Sequence, residues 1–76
     1  MQVKEELQGV FREVFDDDTI ELFDEMTAAD IEDWDSLTHV QLIVAIEKHF
    51  GLKFSTIDIM NLKNIRDMIE LIERKL

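Results

Sequence analysis

The run Asp33-Trp34-Asp35-Ser36-Leu37, with His39 just beyond, gathers the residue types that a hydrolytic nucleophile would need: a hydroxyl, an imidazole and a carboxylate. Their spacing does not suit that chemistry. Near neighbours on one helix do not place a base on the serine and an acid on the base's far nitrogen. The glycine-lined turns that build hydrolase oxyanion sites are missing as well. His39 is read as a surface histidine. A hydroxyl in this setting is better suited to being recognised and modified by another protein than to attacking a substrate. Metal chemistry fares no better. His39 and His49 fall on different parts of one helix face, and Asp16-Asp17-Asp18 lacks the glycine and closing glutamate of an EF-hand loop. No metal site is expected.

The charge around Ser36 is lopsided. Of the formal net charge of −10, residues 1–15 carry −1, residues 16–35 carry −10 and residues 36–76 carry +1. The ten carboxylates of residues 16–35 meet no Lys or Arg there. Such a surface repels nucleic acid and anionic membrane, and its natural complement is a basic protein surface. A solvated loop that keeps a small protein soluble is the plain alternative. No stretch reaches the length of a membrane span, and the N-terminus has neither signal-peptide nor transit-peptide character, so a cytoplasmic protein is expected. With 76 residues and no cysteine, the chain is read as a single domain, 1–76, whose core must come from helix packing alone. So small an interior is poor ground for an independent enzyme.

The elements that must position Ser36 follow from apolar spacing. Val3, Leu7, Val10, Phe11 and Val14 predict an amphipathic helix over about residues 2–15. Gly9 within it implies close approach of another element. A long loop follows, pinned to the core by Ile20, Leu22, Phe23 and Met26. A second helix starts at Asp35 or Ser36, both good N-caps, and stops at Gly51. Its apolar residues fall on two arcs: Leu42, Ile43, Ile46 and Phe50 for the core, and Leu37, Val40 and Val44 as a strip beside Ser36. Gln41, Glu47 and Lys48 interrupt that strip. Leu52-Lys53-Phe54 is an extended connector, and Ser55 or Thr56 caps a short helix through Ile57, Ile59 and Met60. Asn64 opens a last helix with Ile65, Met68, Ile69, Ile72 and Leu76 on one face. The expected fold is all-α: a small four-helix bundle, three main helices plus one short one, with a long loop between the first and second.

Asp35-Ser36-Leu37, followed by Val40, Leu42, Ile46, Glu47 and Phe50, resembles the attachment motif of acyl carrier proteins and related thiolation domains. The resemblance runs on through Gly51-Leu52-Lys53-Phe54 and Asn61-Leu62-Lys63-Asn64-Ile65-Arg66-Asp67, covering almost the whole chain. It implies a phosphoprotein in which Ser36 carries 4′-phosphopantetheine, donated by coenzyme A through a separate phosphopantetheinyl transferase. Asp35 is the neighbour that helps that magnesium-dependent reaction. A helix N-terminus would tolerate the phosphodiester through its free N–H groups and dipole. The implied protein is a non-catalytic, free-standing, monomeric carrier in a fatty acid, polyketide or aminoacyl pathway. It would hold its cargo as a thioester and present it to loading and transfer enzymes with basic docking surfaces. Leu37, Val40, Gln41, Val44 and Glu47, with Asp33 and Trp34, are the expected contacts. Two features depart from the family: the helix after Ser36 is less acidic than usual, and Trp34 stands where fatty-acid carriers more often have a small residue. Trp34 resembles carriers of D-alanine, amino acids or specialised polyketides, or else covers the bundle as a packed hydrophobe. A helical protein-interaction module without a cofactor is the alternative reading.

Overall fold

The computed structural model describes residues 2–76. Among these residues four α-helices occur, α1 over Val3–Phe15, α2 over Ser36–Phe50, α3 over Thr56–Met60 and α4 over Ile65–Lys75, with a 3₁₀ turn at Ala28–Asp30 in the long connection. The expected all-helical architecture is therefore present. Gly51 ends α2 in the left-handed conformation at φ 68°. Asp16 ends α1 in the same region at φ 50°, an uncommon place for a residue with a Cβ. The Asp17 N–H returns to the Arg12 carbonyl at 3.0 Å and closes that turn.

α1 packs against both α2 and α4. The core joins Val3, Leu7, Val10 and Phe11 of α1, Leu42 and Ile46 of α2, and Ile65, Met68 and Ile72 of α4. Three residues of the long connection, Ile20, Leu22 and Met26, complete it. Phe23, expected to pin the loop, instead points outward and is 45% exposed. The expectation for Gly9 also fails, because a Cβ built there meets no heavy atom within 4 Å. Leu76 lies past the end of α4 and is exposed.

Hydrogen bonds hold the first half of the connection as firmly as its apolar side chains do. Arg12 Nε donates to the Ile20 carbonyl at 2.8 Å, and the Leu22 N–H donates to Gln8 Oε1 at 2.8 Å. The N–H groups of Ile65 and Arg66, which have no partner within α4, donate to the carbonyls of Met26 and Asp24, each at 2.9 Å. Lys4 and Arg66 both pair with Asp24 as well, at 3.5 and 3.8 Å. The loop thus serves as the N-terminal cap of α4, shared with Asn64, whose Oδ1 accepts from the Asp67 N–H at 2.9 Å.

Candidate functional site

Ser36 is the first residue of α2 and is exposed. The cap that starts the helix is reciprocal. Asp35 Oδ1 accepts from the Thr38 N–H at 3.0 Å, while Thr38 Oγ1 accepts from the Asp35 N–H at 2.7 Å. Thr38 Oγ1 also lies 2.8 Å from the Asp33 carbonyl, tying the acidic approach to the helix. The backbone bond from Thr38 and its side-chain bond, with a smaller one from the Leu37 N–H, hold the Asp35 carboxyl below the usual carboxylate range. The Thr38 N–H is thus already engaged by the cap. The Ser36 hydroxyl itself has no hydrogen-bond partner among the described residues, and the residue is exposed.

The residues behind it form an aromatic series. Trp34 meets Phe11 edge to face at 5.3 Å and Phe15 at 6.2 Å, so the indole is half-buried against α1. Its Nε1–H donates to His39 Nδ1 at 3.0 Å. The two rings lie 19° from coplanar with centroids 5.9 Å apart, side by side along that bond. His39, read from the sequence as a surface histidine, is therefore a half-buried partner of Trp34. Indole nitrogen can only donate, so His39 Nδ1 is an acceptor, and its neutral ring carries the proton on Nε2. Among the described residues no hydrogen bond joins Ser36 to His39 and no carboxylate bonds the imidazole. The triad arrangement is not formed, and no cluster of three metal-ligating side chains occurs among them either.

Along α2, Leu37, Val40 and Val44 are 68%, 60% and 43% exposed, while Leu42, Ile43 and Ile46 are buried. Gln41 and Asp33 are exposed beside that strip. Glu47, expected among the partner contacts, has a structural duty as well, since its Oε2 accepts from the Phe54 N–H at 2.8 Å and fixes the connector after α2. That connector delivers α3, whose Ile57 and Met60 are 70% and 76% exposed. The sequence reading did not single these two out as surface residues. Their signal was the shortness of α3: five residues spaced in this way bury one side at most, and Asp58 on it is held to Lys75 of α4 at 3.1 Å. No helix among the described residues is long and apolar enough to cross a membrane.

Comparison with known proteins fits this geometry. The family described as phosphopantetheine attachment site matches residues 2–72. A holo acyl carrier protein from Geobacter metallireducens superposes with a TM-score of 0.93 at 44% identity, covering 99% of this chain and 86% of that one. A Mycobacterium tuberculosis protein assigned as an acyl carrier protein superposes at 0.84, covering 96% and 97%, and at 22% identity it speaks to the fold alone. Among curated protein sequences none matches. The chain belongs to the phosphopantetheine attachment-site family, whose members are carriers rather than catalysts and bear covalent 4′-phosphopantetheine.

Proposed function

We propose that Ser36 is the attachment residue and that the protein carries acyl or aminoacyl intermediates as thioesters on the arm bound there. The observation that carries the reading is the exposed Ser36 hydroxyl, without an internal partner, at the head of α2. The site has room for a covalent group. Ser36 borders an open depression of about 480 Å³ whose other walls are Ala28, Trp34, Asp35 and His39. Attachment makes a bond from Ser36 Oγ to the phosphorus of coenzyme A that bears the pantetheine. The pyrophosphate bond breaks, 3′,5′-ADP leaves, and the hydroxyl proton passes to the transferase. Asp35, the residue before Ser36, is held as an ionised carboxylate, the state needed to assist a magnesium-dependent donor. When bound, the arm supplies the thiol that a chain without cysteine lacks.

Docking falls to Leu37, Val40 and Val44 with Gln41, joined by Ile57 and Met60. Asp33 and the acidic approach steer basic partners, among them the transferase and the loading and transfer enzymes. Glu47 adds its charge at the edge of this surface while holding Phe54. Trp34 packs on Phe11 and Phe15 and bonds His39, which supports the reading of it as a hydrophobic cover.

The test is mass spectrometry after incubation with coenzyme A and a promiscuous phosphopantetheinyl transferase. The wild-type chain should gain one arm, and Ser36→Ala none. A wild-type chain left unmodified by several such transferases overturns the reading and returns the protein to the class of cofactor-free interaction modules.

A further inference from the structure

The exposed strip of α2 does not keep one sign of charge along its length. Residues 16–35, leading to Ser36, hold ten carboxylates and no Lys or Arg, whereas residues 36–53 hold Glu47 against Lys48 and Lys53. We propose that the far end of the strip is a seat for a carboxylate of the partner enzyme, carried beside an apolar side chain on that enzyme's docking segment. The inference rests on docking along α2 and adds the chemistry that the partner must bring there.

Leu37, Val40, Val44 and Lys48 follow one another at steps of three and four residues, hence on one face of α2. Lys48 stands twelve residues beyond Ser36, about 18 Å along the helix axis. There the strip opens into a depression of about 300 Å³ walled by Val44, Glu47, Lys48, Gly51, Leu52 and Lys53. Val44 belongs to both, so the depression continues the strip. Both lysines are exposed, and among the described residues neither is paired with a carboxylate. The cations that serve the fold differ in this respect: Lys4 and Arg66 hold Asp24, and Lys75 holds Asp58. His49, next to Lys48, is likewise engaged, by Glu6 of α1 at 3.1 Å. Glu47, the one acid in the walls, accepts from the Phe54 N–H through Oε2. Lys48 in the last turn also offsets the α2 dipole, but Lys53 lies past Gly51, outside the helix, where that role has no hold. A partner that is basic throughout meets repulsion at this end, and one with a carboxylate there gains two cations. A second copy of this chain would also bring carboxylates, but with a net charge of −10 against −10.

Nuclear magnetic resonance titration at low salt tests the proposal on the unloaded and the loaded chain. The probes are a short helical peptide of leucine and glutamate, with leucine along one face, and its twin with lysine in place of every glutamate. The glutamate peptide should shift the amides of Val44, Lys48, Gly51 and Leu52, and the lysine peptide those of Asp33 and its acidic neighbours. Lys48→Glu combined with Lys53→Glu should weaken the glutamate peptide about tenfold and let the lysine peptide reach the same amides. Both side chains are exposed and unpaired, so that variant should keep the wild-type melting temperature. The milder Lys48→Gln, Lys53→Gln variant should fall between the two. Far-end amides that ignore the glutamate peptide, or that shift equally in wild type and the reversed variant, overturn the seat. Shifts there that grow with protein concentration alone assign it to a second copy and overturn it as well. The same pattern is expected with and without the arm, so failure of Ser36 to load shows in the mass and failure of the seat shows in these amides.

Discussion

α2 and α4 make opposite use of their apolar residues. α4 has a charged face and an apolar face, and Ile65, Met68, Leu71 and Ile72 of the latter are buried. α2 is the more apolar helix, yet only Leu42, Ile43 and Ile46 are buried, and Leu37, Val40 and Val44 stand in solvent. Their N-termini differ in the same sense. α4 begins under the loop, its first N–H groups bonded to the Met26 and Asp24 carbonyls, whereas α2 begins at the surface on a cap made by its own neighbours. One helix is committed to holding the bundle together. The other leaves Leu37, Val40 and Val44 outside, where the proposed docking would use them.

The comparison breaks first at its buried arc. Leu42→Ala should cost about 2–5 kcal/mol in denaturant unfolding, enough to threaten a domain of this size. Leu37→Ala on the exposed arc should leave the midpoint within about 0.5 kcal/mol of wild type while slowing transfer to a partner enzyme. A Leu37 variant as destabilised as the Leu42 variant would show that the strip belongs to the core.

Glu47 sharpens the boundary between the two arcs. Glu47→Lys removes both its charge and the acceptor for the Phe54 N–H, so it should lose about 1–3 kcal/mol in thermal unfolding. Glu47→Gln keeps an acceptor and should stay near wild-type stability. If the carboxylate also guides docking, the Gln variant should slow transfer more at low salt than at high salt. Equal rates at both salt concentrations would leave Glu47 with its structural duty alone.

Acid separates the two caps. The Asp35 carboxyl lies below the ordinary value near 3.8, so the stability it lends is complete above that value and is lost as pH falls through its lowered one. Asp58, held down by the Ser55 N–H and by Lys75, follows the same course in α3. The Asp67 N–H of α4 is capped instead by the neutral amide of Asn64. Below about pH 4, hydrogen exchange at the Thr38 N–H should therefore accelerate relative to that at Asp67. Matched acceleration at both positions would sink the idea that the α2 cap titrates by itself. The smallest effect belongs to α1: Gly9→Ala, with open space around it, should stabilise by about 0.5–1 kcal/mol, read as a rise in melting temperature.

Much of this was legible in the sequence, for reasons that vary by residue. Helical spacing gave α1, α2 and α4, because each has enough turns for its buried face to repeat. Asp35, Ser55 and Asn64 announced their helices through local capping chemistry. The reciprocal bond of Thr38 was present as a threonine three residues after the cap, a weaker sign than the glutamate usually found there. The contacts that escaped notice join distant segments: Glu47 to Phe54, Met26 to Ile65, and Trp34 to His39 across the cap. Gly9 misled because a glycine in a helix marks low propensity and does not reveal what lies opposite. The family resemblance located Ser36, but the half-buried, hydrogen-bonded state of His39 depends on Phe11 and Phe15, far away in the chain.

The bonds from Ile65 and Arg66 to the loop carbonyls bear on the order of folding. They close a span of about forty residues, and that loss of chain freedom is repaid only once α1 and α4 are already docked. The segment leading to Ser36 is thus expected to be among the last parts of the chain to settle. In refolding experiments, the Trp34 signal should not precede the helical signal. A modifying enzyme that requires the settled segment would then act on finished molecules and pass over nascent ones, a built-in check on folding before the cofactor is spent.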